Sequence, residues 1–319
     1  MTKTVAAPRT LAQAIKYFAN QDVALDFMVA LRWPNGPVCP RCESTAHSFL
    51  STRRIWKCKG CGKQFSVKLG TIFEDSPIGL DKWFTAMWML TSCKNGVSSY
   101  EIARATGMSQ KSAWFVLQRL RYMLKATNPR PMGSPGVVEV DETYIGPKPK
   151  NMHTSKRRKL QLAENGMVTK TTVMGMLDRT TREVRAKVIP NVKRETLQAE
   201  ILKNVGFASK VYTDSAVGYE GMDAKRFIHK TVNHANEYVR GDVSTQAIEN
   251  FWSCLKRTLQ GTYVAVEPFH LDLYLNEQMF RFNNRIGKHD GERFAKALGQ
   301  IAGKRLTWDV LTGKEGASC

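Results

Sequence analysis

The sequence is poor in acids, in long apolar runs and in paired cysteines, and each shortage excludes something. No apolar run approaches the roughly 20 residues that a membrane-spanning helix needs, and the opening MTKTVAAPRTLAQ has no signal-peptide hydrophobic region. The seven cysteines are an odd number with no even framework, which argues against a disulfide scaffold and for a reducing compartment. No glycine-rich loop is placed to cradle a nucleotide's phosphates, and no histidines stand at metal-binding i, i+4 spacing. Acids are outnumbered: 28 Asp and Glu face 48 Lys and Arg, a net charge of +20 and a pI near 9.8. That excess attracts polyanions and releases counterions from phosphates. The expectation is a cytoplasmic, nucleoid-associated protein that works on nucleic acid, with no membrane partner.

What is present suits two or three modules. At 319 residues and 42% hydrophobic content the chain can bury real cores. Residues 1–32 read as a helical segment with a break near Asn20-Gln21-Asp22, and 33–75 as a cysteine-bearing module. Residues 80–127 read as helices in at least three pieces, and 128–136 (NPRPMGSPG) have the composition of a linker. Residues 137–312 carry the pattern of a mixed α/β domain with a central sheet, leaving 313–319 as a tail. In that domain VVEVDETYIG reads as a strand, 170–190 as a hairpin turning near Asp178, and ETLQAEILKNV as a helix. KVYTDSA and KTVNH read as further strands, and the chain is helical from Thr245.

The first chemical motif is Cys39-x2-Cys42-x15-Cys58-x2-Cys61. Each CxxC turn presents two thiolates from one knuckle, and four soft ligands suit tetrahedral zinc. With every ligand position filled by sulfur the zinc is structural; a redox dithiol pair is the alternative. Arg53, Arg54 and Lys57 crowd the second knuckle and are expected to face phosphate.

Residues 97–124 read as a helix-turn-helix, with Ser98 or Ser99 and then Ser109 as caps and Gly107 in the turn. This places Gln110, Lys111 and Ser112 at the end of the second helix that meets base edges, with Arg119 and Arg121 following for phosphates. An ordinary helical hairpin is the alternative. The basic loop at 148–161 offers Arg157 and Arg158 for phosphate contact.

Three acids stand out in the last domain. Asp141 sits mid-strand, facing away from Val138 and Val140 together with Glu139 and Thr143. A carboxylate there is unfavourable unless paired or bound to metal. Asp214 ends a similar apolar run, and Glu249 lies on a helix with Lys256 two turns further along the same face. Transferring a phosphodiester in line requires the attacking and leaving oxygens to be stabilised, which two hard cations about 4 Å apart achieve. Mg²⁺ or Mn²⁺ would take Asp141, Asp214 and Glu249 as ligands, with Lys256 and Arg257 on DNA phosphate.

These motifs resemble those of transposases of prokaryotic insertion sequences that carry a zinc ribbon ahead of an RNase-H-like Asp-Asp-Glu domain. The resemblance runs from about residue 20 to 290 through RWPNGPVCPRC, WKCKGCGKQFSVKLGTIF, VEVDETYIG, YTDSAVGY, IENFWSCLKRTLQGTY and LNEQMFRFNNR. It implies a multidomain α+β chain: zinc ribbon, helix-turn-helix, and an RNase-H-like catalytic domain on a mixed central sheet. It also implies metal-dependent cutting at double-stranded element ends, then attack of a 3′-hydroxyl on target DNA within a homodimer or larger synaptic complex. Asp141, Asp214 and Lys256 match the family's positions. Glu249 is the third acid, with Gln246 one turn earlier able to offer a neutral oxygen. Glu277, Arg281 and Arg285 match a charged pattern expected to support the site or contact DNA. A domesticated DNA-binding regulator with an inert catalytic domain, or a nuclease on the same fold, shares most of these features.

Overall fold

The computed structural model describes residues 8–126, 130–147, 153–155, 158, 170–222, 226–232 and 242–314. Arg157, Asp223, most of the basic loop and the end of KTVNH lie outside the described residues. The chain forms two compact units, Met1–Lys125 with Ile286–Cys319, and Ala126–Arg285.

The first unit begins with helices α1 (Leu11–Phe18) and α2 (Gln21–Arg32), separated where Asn20 accepts from the backbone N–H groups of Asp22 and Val23. That bond satisfies donors with no partner inside the helix. Strands β1 (His47–Leu50), β2 (Ile55–Cys58) and β3 (Gln64–Phe65) form an antiparallel sheet, with His47 opposite Cys58 and Trp56 opposite Phe65. Helix α3 (Leu80–Ser92) is buried on nearly every side through Leu80, Trp83, Phe84, Ala86, Met87, Trp88 and Leu90, the pattern of a central helix. Helices α4 (Ser99–Thr106) and α5 (Gln110–Met123) are joined through Gly107, whose φ of 66° is left-handed. Ser98 and Ser109 cap them, each accepting from a backbone N–H three residues on.

The second unit is a five-stranded sheet with helices. Its strands are β4 (Val137–Ile145), β5 (Thr171–Asp178), β6 (Val184–Val188), β7 (Ser209–Asp214) and β8 (Phe227–Val232), in the order β6-β5-β4-β7-β8. β4, β5 and β6 pair antiparallel with one another, whereas β4–β7 and β7–β8 pair in parallel. Because side chains alternate along a strand, β4 serves two cores. Val138 and Val140 pack with Leu197 and Ile201 of helix α6 (Arg194–Asn204). Val173 and Leu177 of β5 line the other face with Ile248, Phe251, Trp252 and Leu255 of helix α7 (Gln246–Thr258). Glu139, Asp141 and Thr143 share that second face by alternation and by their cross-strand partners Leu177, Gly175 and Val173. Helix α8 (Leu271–Asn283) packs into the same core through Leu271, Tyr274 and Leu275.

Two expected boundaries are corrected. The segment at 130–136 is not a free linker: Met132 is buried and exchanges backbone hydrogen bonds with Asn204 and Gly206. Nor does the last domain run to 312, because the chain after Arg285 belongs to the first unit. There α9 (Asp290–Leu298) sets Phe294 against Trp88, ring centroids 4.9 Å apart, and α10 (Trp308–Thr312) follows. Hydrophobic packing between residues some 200 positions apart cannot be read from local periodicity. Among the described residues no helix is long and apolar enough to cross a membrane.

Candidate active site and zinc cluster

The four cysteines converge. One sulfur from each of Cys39, Cys42, Cys58 and Cys61 lies within 4.8 Å of all the others. Cys39 and Cys61 are 3.8 Å apart, Cys42 and Cys58 3.5 Å. Four thiolates at about 2.3 Å from tetrahedral zinc would stand about 3.8 Å from one another, so the cluster fits the ion. Without metal the thiols share protons: the backbone N–H of Cys61 draws the Cys58 thiol down to about 6, while hydrogen bonding with Cys58 holds the Cys42 thiol up. Gly60 leaves room for this: a Cβ there would stand 3.1 Å from Ser44 and 3.6 Å from the Cys42 sulfur.

The acids meet in the second unit. The parallel register pairs Val137 with Lys210, Val138 with Val211 and Glu139 with Tyr212; continued by two residues it sets Asp141 beside Asp214. Burial pushes the Asp141 carboxyl up to about 6, and the negative charges of Asp214 and Glu249 push the same way, so all three acids share one field. The Trp252 indole N–H opposes this by donating to Asp141 Oδ2 at 2.9 Å. Asp214 Oδ1 accepts from Ala216 N at 3.1 Å, and Glu249 Oε1 from the Thr245 hydroxyl at 2.9 Å. The three carboxylates do not crowd into a single-ion cage: among the described residues only the cysteines bring three or more ligand atoms within 4.8 Å.

Comparison with known proteins bears on what such a site belongs to. The ISXO2-like transposase domain matches residues 134–283, and the transposase zinc-ribbon domain matches residues 19–64. The chain is 36% identical over 102 residues to an uncharacterized transposase-like protein of Haemophilus influenzae, covering 82% of that protein and 32% of this chain. It is also 28% identical over 301 residues to an uncharacterized protein in transposable element ISH50 of Halobacterium salinarum, covering 99% of that protein and 90% of this chain. The chain belongs to the zinc-ribbon, ISXO2-like transposase family. A looser likeness, at 12% identity and a TM-score of 0.30, is to a chain from a simian T-cell lymphotropic virus intasome complexed with PP2A regulatory subunit B56 gamma. It spans 56% of this chain and 63% of that one, just under two thirds of its length.

The rest of this transposase-family site is only partly visible in the sequence. Glu139, to which spacing alone gives no role, is almost wholly buried and holds the start of α7: its Oε2 accepts from Ala247 N at 2.9 Å and Ile248 N at 3.0 Å. Its Oε1 accepts from Arg179 Nε at 2.6 Å, and Arg179 in turn bonds the Asp242 carbonyl and both oxygens of Ser244. Gly175, opposite Asp141, is the slot for Trp252; a Cβ there would come within 2.5 Å of the indole. The alternation that places Glu139 on Asp141's face is readable; its partners in α7 are not. Glu142 bonds the Tyr219 hydroxyl, and burial pushes it up to about 7.

Among the expected DNA-binding residues, Lys256 and Arg257 are exposed on α7, as are Arg158, Arg53, Arg54 and Lys57. Arg54 also pairs with Asp22 at 2.6 Å. Lys111 is exposed with its Nζ 5.2 Å from the Trp308 ring centroid, Gln110 bonds Ser99 at 2.9 Å, and Ser112 bonds its own cap, Ser109. The expectation for Arg119 and Arg121 is corrected: they are 3% and 1% exposed. Arg119 donates to the Glu74 carbonyl at 2.6 Å and lies over Trp83, because the C-terminal half of α5 is enclosed on all sides. Glu277 and Arg281 are likewise buried, paired with each other along α8, and so do not present themselves to DNA.

Proposed function

We propose that the chain is a DNA transposase that recognises the ends of its own element and performs metal-dependent cleavage and strand transfer. The reading is supported by the parallel β4–β7 register, which continued by two residues brings Asp141 beside Asp214, and by the charges of Asp214 and Glu249 acting on Asp141. The order β6-β5-β4-β7-β8, three antiparallel strands followed by two parallel ones, supports an RNase-H-like domain. The α4–α5 pair with its Gly107 turn acts as a helix-turn-helix, and together with the zinc ribbon it grips double-stranded DNA.

Asp141, Asp214 and Glu249 would hold two Mg²⁺ or Mn²⁺ ions, which would stabilise the attacking and leaving oxygens of an in-line displacement at phosphorus. The chain's own residues do the rest. Trp252 fixes one oxygen of Asp141 and leaves the other for the site. Glu139 and Arg179 set the start of α7 and with it the height of Glu249. Lys256, two turns beyond Glu249 and exposed, steadies the DNA backbone beside the acids. Arg53, Lys57, Arg158 and Arg257 add to the +20 charge that binds phosphate by counterion release. Because two ends must be joined, the working form is a homodimer or larger synapse.

The test uses a plasmid carrying the element's ends. Asp141→Asn should abolish cleavage and strand transfer while end binding survives. A variant that still joins DNA would refute the assignment.

A further inference from the structure

A pocket of about 330 Å³ opens on the second unit beside α7, lined by Leu177, Arg182, Gln246, Ala247, Asn250, Phe282 and Arg285. Its floor is apolar, its polar groups are two guanidiniums and two side-chain amides, and no carboxylate lines it. The fold fixes the Arg285 guanidinium and the backbone that carries Arg182. Arg285 lies over the Phe282 ring, 3.3 Å from its centroid. Arg182 ends the β5–β6 turn with a left-handed φ of 60°, its N–H donating to the Asp178 carbonyl at 2.8 Å.

Neither acid of that turn pairs with Arg182: the Glu183 carboxylate is taken by Arg185 Nε at 2.9 Å. Asp178 is buried, and its oxygens already accept from the backbone N–H groups of Gly133, Thr180 and Thr181. Arg179, by contrast, has its own carboxylate in Glu139. Burial lowers the basicity of Arg285, and the positive charge of Arg182 lowers it further, so the two cations sense one another. Two guanidiniums converging on one cavity without a carboxylate form a receptor for an anion with several acceptor oxygens. The first amides of α7 do not supply this receptor, because Ala247 N and Ile248 N are given to Glu139.

We propose that this pocket binds a backbone phosphate of the DNA strand, gripped by Arg182 and Arg285 with Gln246 and Asn250 as neutral donors. This rests on the transposase reading and deepens it. Gln246 and Asn250 stand one turn before and directly after Glu249 on α7, so the pocket's occupant is a neighbour of the acids along the same helix. The site holds the strand in register against the acids and takes no part in the chemistry.

The test is a salt titration of the full-length, zinc-loaded chain binding a fluorescent duplex of about 30 base pairs. Every DNA phosphate that the protein ceases to neutralise should lower the slope of log affinity against log salt by roughly 0.9. Arg182→Gln with Arg285→Gln should flatten the slope and weaken binding about tenfold or more at fixed salt. Lys193→Gln with Lys203→Gln removes the same charge from exposed positions at and near α6, which packs on the opposite face of the sheet, and should do less. Asn250→Asp, at an exposed position, should weaken binding by placing a carboxylate in the pocket without removing any packing. Equal losses in the two double variants, or no effect of Asn250→Asp, would overturn the pocket while leaving the transposase reading intact. A wild-type chain that bound duplex DNA without salt dependence would overturn both.

Discussion

The indole N–H of Trp252 donates to Asp141 Oδ2 at 2.9 Å, reaching it across Gly175, the cross-strand partner of Asp141. A helix residue thus orients the strand-borne acid, and a missing side chain on the neighbouring strand makes the approach feasible. Gly175→Ala should displace the indole and destabilise the second unit by about 1–3 kcal/mol in urea unfolding, the usual range for overpacking. Trp252→Phe keeps most of the ring, so it should slow strand transfer more than it lowers stability. Equal activity in the phenylalanine variant would remove the orienting role.

Glu139 and Arg179 form the second support. Removing one partner of a buried ion pair leaves an uncompensated charge, a loss of about 3–5 kcal/mol when both are enclosed. Arg179 is 30% exposed, so Glu139→Ala should fall at or below the lower end of that range. Glu139→Gln keeps an acceptor for the α7 amides and should recover part of both stability and turnover. The split matters: a residue that sets the height of Glu249 should lower kcat while leaving DNA affinity nearly unchanged. A glutamine variant as damaged as the alanine variant would contradict that role.

Acidity gives a third test. The Asp141 carboxyl rises from 3.8 to about 6 and that of Glu142 from 4.5 to about 7, burial leading in both. Between those values the folded chain retains protons that the unfolded chain has released, so the metal-free protein loses stability as pH rises from about 4 to about 7. Mg²⁺ or Mn²⁺ competes with those protons, and its stabilising effect should therefore be greater near pH 8 than near pH 5. Thermal melting with and without Mn²⁺ at both pH values measures this. Identical metal-induced shifts at both would contradict it, as would a shift undiminished in Asp141→Asn.

Zinc removal should act locally. A ribbon of three short strands has little core of its own, so chelation or Cys58→Ser should unfold residues 39–65 and leave the five-stranded sheet folded. Hydrogen exchange on the full chain reads both regions at once. Protection that persists in the ribbon after metal loss would mean its aromatic packing, such as Trp56 stacked on Phe65, suffices without the ion.

Much of the site is legible because its chemistry is written in local patterns. The CxxC pairs, the strand alternation around Asp141, and the seven-residue step from Glu249 to Lys256 each depend on neighbours close in the chain. Arg119 and Arg121 show where that legibility stops. Their charge suggests phosphate contact, yet both are buried, Arg119 against the Glu74 carbonyl and the Trp83 ring. The same holds for the segment after Arg285, which returns to the first unit through packing that no local period encodes.

Residue identity and short-range spacing were enough to establish the cysteine knuckles, the strands and helices that bear the acids, and the family to which they belong. Folding alone decided which carboxylate faces the candidate ion site and which, like Glu139, holds a helix; which arginines meet solvent; and where a glycine makes way for an indole. The reason is physical. Ligand type and helical or strand period are properties of neighbouring residues, whereas burial and charge pairing depend on surfaces that meet only when the chain closes on itself.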